Sequence, residues 1–194
     1  MTGSLTGALL LGLLLWQWSP QPLQEVFKAD APEVNAFPLF YMHDVKTTQY
    51  AVDGSPAYLL ETEAFNYYEG QGTTSEQRQA NSYATLAKPL ITFYDQDLSV
   101  WRFSAAKGQS RNDGALIQLQ GDVRLWQLQN GVTTTELTTQ SLTIKPNQAF
   151  AQTSDPVVFK SISGVTMQST GLKLFIESSK AEFLSVVKGR YDRL

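Results

Sequence analysis

Few side chains in this sequence carry the chemistry of catalysis. The one histidine, His43, stands beside Asp44, a pairing suited to proton transfer only if both groups meet on one face. Neighbours on a strand point to opposite faces, and no serine in a nucleophile-elbow context accompanies the pair. Asp95 and Asp97 have the types needed for a glycosidase carboxylate pair, but a solvated turn between two strands explains them better. Glu61 and Glu63, two apart, mark a solvent face. With no cysteine there is no disulfide, thiolate metal site, cysteine nucleophile or lipid-modified N-terminal cysteine. A single histidine leaves no His-based metal cluster within one chain. No P-loop, no G-x-G-x-x-G behind a strand and no zinc spacing occurs, so no cofactor is implied. These residues argue against an enzyme.

The elements that would hold such groups follow from composition and pattern. The chain has 194 residues, enough for one domain with or without an appendage; 42% are hydrophobic and only 17% charged, below the usual share. Thr, Gln and Ser take the place of charged residues, as in β-rich proteins. A formal net charge of -3 gives no electrostatic reason to expect nucleic acid as a partner.

Residues 1–24 contain no ionisable side chain, and Leu5 to Trp18 is almost wholly apolar. About 18 helical residues span roughly 27 Å, just enough for a hydrocarbon core near 30 Å. Trp16 and Trp18 suit an interfacial belt, and Pro20 and Pro22 end the helix. A cleaved signal peptide fits less well, without a basic n-region or an A-x-A-like site. A buried soluble helix is disfavoured because the stretch is apolar on every face. Residues 1–20 are therefore expected to be a transmembrane anchor and 21–36 a polar tether. Ser4, Ala8 and Gly12 form a small-residue strip on that helix, where another membrane helix can approach closely.

From residue 37 to 194 the pattern changes to period-two segments broken by Gly, Asn, Asp and Pro. Tyr50-Ala-Val runs into the turn signal Asp53-Gly54. Tyr58, Leu60 and Ala64 are expected on one face of the next strand, opposite Glu61 and Glu63. Residues 69–82 are polar and form the longest expected loop. Trp101, Phe103 and Ala105 share a face, as do Ile117, Leu119, Val123 and Leu125. In the final strand Ala181, Phe183, Ser185, Val187, Gly189 and Tyr191 share one. Tight turns without crossover helices predict an antiparallel all-β body, a jelly roll or sandwich. The apolar face serves either a closed core or a trough for a lipid, and periodicity does not separate the two.

Several stretches then carry a family resemblance. They include Asp53-Gly54, Tyr58-Leu-Leu with Tyr67-Tyr68, Lys88-Pro-Leu-Ile-Thr-Phe93, Leu119-Gln-Gly-Asp-Val123 and Leu142-Thr-Ile-Lys-Pro146. Leu137-Thr-Thr, Ser163-Gly164, Thr170-Gly-Leu172 and Phe183 to Tyr191 complete the set. In order and spacing, behind an N-terminal anchor, they resemble the LptC family of the bacterial lipopolysaccharide export bridge. The resemblance implies a twisted, open β-jelly roll in the periplasm, held to the inner membrane by one helix and without enzymatic activity. It implies lipopolysaccharide taken from an ABC transporter and passed to the soluble bridge protein LptA, with acyl chains in the interior. Val45, Leu86, Ala181 and Tyr191 match positions lining the lipid path, and Gly54 and Gly164 match glycines needed for bridge assembly. Trp101, Phe103, Ile117, Leu119 and Phe183 join that interior by their shared faces. A membrane-anchored scaffold or adhesin with a filled core is the alternative.

Overall fold

The computed structural model describes residues 37–51, 53–94 and 99–191. The expected anchor with Ser4, Ala8 and Gly12, the tether over 21–36, and Asp95 and Asp97 lie outside these residues. Among the described residues no helix is long and apolar enough to cross a membrane.

Among the described residues the period-two alternation becomes eleven strands in one continuous sheet. In chain order they are β1 (Phe40–Tyr50), β2 (Pro56–Tyr68), β3 (Tyr83–Ala87), β4 (Leu90–Tyr94), β5 (Ser99–Ser104) and β6 (Lys107–Arg111). β7 (Leu116–Gln129), β8 (Val132–Lys145), β9 (Phe150–Ser161), β10 (Val165–Phe175) and β11 (Lys180–Tyr191) follow. Every pairing is antiparallel. β2 pairs with β4 through its first half and with β3 through its second. β7 likewise pairs with β6 and then β5. Thus β3 and β4 are one path broken at Lys88-Pro89, and β5 and β6 are one path broken at Ala105-Ala106.

The remaining strands break along the same line. Asp44 in β1 (φ 49°), Gly121 and Asp122 in β7 (φ 78° and 48°), Gly171 in β10 (φ 84°) and Val186 in β11 (φ 48°) leave the β region there. Between β8 and β9 the pairing lapses from Thr138 to Thr143. Bulges bend and twist a strand, so a row of them across neighbouring strands creases the sheet. Hydroxyls stitch this crease: Thr62 Oγ1 donates to the Ala64 and Ala87 carbonyls (3.0 and 2.7 Å), and Ser169 Oγ to the Gly171 carbonyl (3.2 Å). Thr62, Thr139, Thr153 and Ser169 are the buried polar residues here, and Thr139 Oγ1 lacks a partner.

The crease divides the sheet into leaf A, with β3 and β6, and leaf B, with β4 and β5; the other strands contribute one half to each. One apolar cluster joins the leaves, taking Leu86, Ile117, Leu119, Leu142, Ile144, Leu172 and Leu174 from leaf A. Leaf B supplies Leu60, Ile91, Phe93, Trp101, Phe103, Val123, Leu125 and Leu137. The antiparallel all-β expectation is met, and the folded-over sheet is consistent with a jelly roll.

Two readings of the sequence need correction. Phe65, not Ala64, continues the inward row of β2: it pairs with buried Leu86, whereas Ala64 pairs with Ala87 and His43. Parity changes where β2 crosses the crease, and no glycine announces it. Residues 69–82 are not only a loop, because α1 (Ser75–Asn81) forms within them. Thr74 caps α1 in a capping box with Gln77, satisfying backbone donors at both positions.

Candidate functional site

Opposite the crease, the free ends of the two leaves form a seam. Leaf B ends in the turns around Asp53-Gly54, Asn130-Gly131 and Ser163-Gly164. Leaf A ends in α1 and in the turns at residues 112–114, 146–148 and 176–179. Between these lips lies a cleft of about 670 Å³. Tyr50, Ala51, Ser55 and Pro56 form one wall; Pro146, Asn147, Ala149, Ile176 and Glu177 form the other. Its floor is aromatic, made of Tyr58, Phe93 and Trp101. Phe93 packs between Tyr58 and Phe103, with ring centroids 5.5 and 5.4 Å away. Burial pushes the Tyr58 hydroxyl above the ordinary tyrosine pKa.

Beyond the cleft the seam is tied shut. Ser179, in the β10–β11 turn, accepts from Trp101 Nε1 (3.1 Å) and from Gln127 Nε2 (2.9 Å), both on leaf B. Nothing in the sequence pattern marked Ser179 or Gln127, because the contact joins residues 78 and 52 positions apart.

The interior residues expected from sequence fall on one continuous inward surface. Leu86, Trp101, Phe103, Ile117 and Leu119 are buried in the shared cluster. Ala181 and Phe183 pack against it from β11, opposite Leu174 and Leu172. Val45 lies half-buried on β1 opposite Thr62, and Tyr191 ends β11 opposite Val165 with 65% of its surface exposed. Gly54 and Gly164 do not enter this surface. Both sit at positive φ (83° and 84°) in turns of the same lip. Asp53 Oδ1 organises the first of these turns by accepting from the Ser55 amide and hydroxyl (3.0 and 2.7 Å).

The residues weighed for catalysis go elsewhere. His43 is exposed on β1 with its ring edge-on to Tyr41, centroids 5.9 Å apart. Glu61 and Glu63 make surface ion pairs with Lys46 and Lys88 (3.3 and 2.9 Å). Among the described residues no group of acidic or histidine side chains is arranged to hold a metal.

At both ends of the sheet the inward surface opens to solvent. Among the described residues β1 pairs only with β2 and β11 only with β10, so each has one edge that no described strand covers. Phe40 and Met42 at one end, and Val187 and Tyr191 at the other, are large apolar side chains left exposed. Among the described residues the apolar interior borders the seam cleft on one side and ends at an unpaired strand edge at each end of the sheet. No curated protein matches the sequence. Residues 5–192 match the family described as lipopolysaccharide-assembly, LptC-related, whose members act as a bridge in lipopolysaccharide export at the inner membrane. With nearly the whole chain matched, this protein belongs to the LptC family.

Proposed function

We propose that this chain is an open β-jelly roll that conducts lipopolysaccharide, receiving it from the inner-membrane ABC transporter and handing it to the periplasmic bridge protein LptA. The observation that carries this reading is the single inward apolar cluster running from β2 to β11, extended onto β1 by Phe40 stacked on Phe65 and Tyr67, with an edge strand at each end. Acyl chains would lie between the leaves, along Val45, Leu86, Trp101, Phe103, Ile117, Leu119, Ala181, Phe183 and Tyr191. The cleft over Tyr58, Phe93 and Trp101 gives a chain its first lateral access.

At mid-sheet the leaves touch, and Phe103, Leu119 and Leu125 have no exposed surface. Conduction therefore requires the leaves to part. Exchanging side chain–side chain contact for side chain–acyl contact is nearly neutral, because both surfaces are apolar and neither returns to water. The specific cost is the pair of hydrogen bonds to Ser179, about 0.5–1.5 kcal/mol each. Residues 1–20 would anchor the chain, with Ser4, Ala8 and Gly12 against a transporter helix. Gly54 and Gly164 would shape the turns used in assembly.

A photo-reactive residue placed at Leu86 or Trp101 tests the reading. It should crosslink to lipopolysaccharide during export, while the same residue at Glu61 or Arg102, on the outer face, should not. Equal labelling on both faces removes the interior path. For the anchor, Gly12→Leu should release the transporter on purification without preventing membrane insertion. Unchanged co-purification would reduce the strip to ordinary membrane-span composition.

A further inference from the structure

The outer face of leaf A carries a second pattern that the interior does not explain. Strand register aligns the last residue before each seam turn into one outward row. Within it Tyr68 of β2 opposes Tyr83 of β3, which opposes Arg111 of β6. The two tyrosine rings stack at 4.9 Å and the Arg111 guanidinium lies 6.0 Å from the Tyr83 centroid. The motif then repeats in the same direction. Phe150 of β9 opposes Phe175 of β10, which opposes Lys180 of β11. Those rings lie 5.4 Å apart, and the Lys180 ammonium is 5.8 Å from the Phe175 centroid. Leu116 and Lys145 fill the register between the two groups. One step toward the crease runs a row of amides and hydroxyls: Asn66, Thr85, Gln109, Gln118, Thr143 and Gln152.

We infer that this row is a saccharide rail, binding the phosphorylated sugar headgroup of the conducted lipid at two ring–ring–cation stations. The inference rests on the proposed lipid path, and three features on the page support it. An amphiphile with its chains between the leaves must put its headgroup out through the seam, and the row is the rim of that seam. Pyranose C–H groups are weakly positive and stack on the negative face of aromatic rings, here Tyr68 and Phe150, which Tyr83 and Phe175 hold from one side only, while the amide row offers both donors and acceptors to hydroxyls. The cations Arg111, Lys145 and Lys180 complement phosphate. Glu182, bonded to Lys180 at 2.8 Å, lies on the amide row, and Asp113 and Glu177 lie in the adjoining turns. The two cations closing the stations are five strand steps apart, about 24 Å at the usual spacing. That distance suits successive holds on one moving headgroup.

Cross-strand ring pairs also stabilise sheets, so the test must read binding apart from folding. The probe is the phosphorylated core oligosaccharide freed of its acyl chains, titrated by saturation-transfer NMR into the full chain held in neutral detergent. Binding to the native chain should weaken about tenfold in Tyr83→Ser with Arg111→Gln, a loss of about 1.4 kcal/mol. Tyr83→Phe, which keeps the ring, should bind as the native chain does, and a β-type circular dichroism spectrum in the double variant that matches the native chain's controls for folding. No oligosaccharide binding, or binding indifferent to Tyr83 and Arg111, overturns the rail. If Leu86 still crosslinks to lipopolysaccharide in that case, the interior path stands without it. Oligosaccharide binding with no interior crosslink would instead keep the rail and remove the path. Loss of binding to sugar-free anionic vesicles in the double variant, with the oligosaccharide unaffected, would make the row a membrane contact and overturn the inference.

Discussion

The strands at mid-sheet and those at its ends follow the same alternation yet have opposite surroundings. On β7 and β8 the inward residues Leu119, Val123, Leu125 and Leu137 have no exposed surface. On β11 the inward Val187 and Tyr191 are 53% and 65% exposed. Residue type does not make this difference, since valines and large apolar side chains occur in both places. What differs is whether another strand covers the position. The ends are thus core surface lacking its next layer, and an edge of that kind invites main-chain pairing with a partner unless something blunts it. Stability should reside in the middle and assembly at the ends.

The largest effect should come from the middle. Leu125→Ala removes a fully buried side chain at the junction of the leaves and should cost about 2–5 kcal/mol. Val187→Ala, with half its surface already in water, should change stability by about 0.5 kcal/mol or less. Urea unfolding of the two variants reads this directly, and similar midpoint shifts would erase the distinction. Next in size is the assembly side. Val187→Pro removes a backbone donor from the edge strand and bends it. On the proposed hand-off to LptA, with the free edge of β11 as the receiving strand, LptA pull-down should be lost while transporter association and the β-type circular dichroism spectrum persist. Retained LptA binding in the folded variant moves the contact off β11.

A smaller effect belongs to the seam, the one place where the middle can open. Ser179→Ala removes the acceptor shared by Trp101 and Gln127, and Trp101 is only 3% exposed, so its N–H loses its partner away from bulk water. The expected loss is about 1–2 kcal/mol, by the usual cost of an unsatisfied buried donor. The chain has no native cysteine, so a single cysteine at Phe93 reports opening by its rate of thiol labelling. Labelling should quicken in Ser179→Ala. An unchanged rate would mean that packing alone closes the seam.

Much of this architecture is legible in the sequence, and what is not has a common cause. Period two places Trp101, Phe103, Ile117 and Leu119 inside without error, because within one leaf alternation is strict. Glycines at 121 and 171 mark two crossings of the crease, since only glycine takes positive φ there without strain. At β2 the crossing is made by Thr62, whose hydroxyl replaces the backbone bonds the bend removes, so strict alternation puts Ala64 on the wrong face. The helix α1 carries no apolar stripe and no residue of it is buried, so the reading by period leaves it inside the polar loop over 69–82. The seam tie and the outer ring–cation row are products of register, which joins residues far apart in the chain. Local pattern finds faces; it does not find which faces oppose one another.

The smallest expected effect compares the two ends with each other through their carboxylates. At the β1 end, hydrogen bonds from the Ser55 hydroxyl and amide hold Asp53 below the usual aspartate range. At the β11 end, the hydrogen bond from Lys180 and its charge do the same for Glu182. A carboxylate whose pKa is lower folded than unfolded stabilises the fold at all pH values above its unfolded pKa. That contribution fades as pH falls through the folded pKa. The window therefore opens near pH 4 and runs downward for both groups. Each is fully solvent-facing, so screening keeps the contribution small, and the Lys180 pair should weaken further in high salt. Asp53→Asn keeps an oxygen to accept from Ser55 and loses only the charge, while Glu182→Gln loses the ion pair. Both should unfold slightly more easily than the native chain at pH 7, and the gap should vanish by about pH 2, below the carboxylate range. Raising salt at pH 7 should narrow the gap for Glu182→Gln and leave most of it for Asp53→Asn, whose partner Ser55 is neutral. If salt acted equally on both, the Asp53 turn would owe its strength to charge at a distance and not to its two short hydrogen bonds.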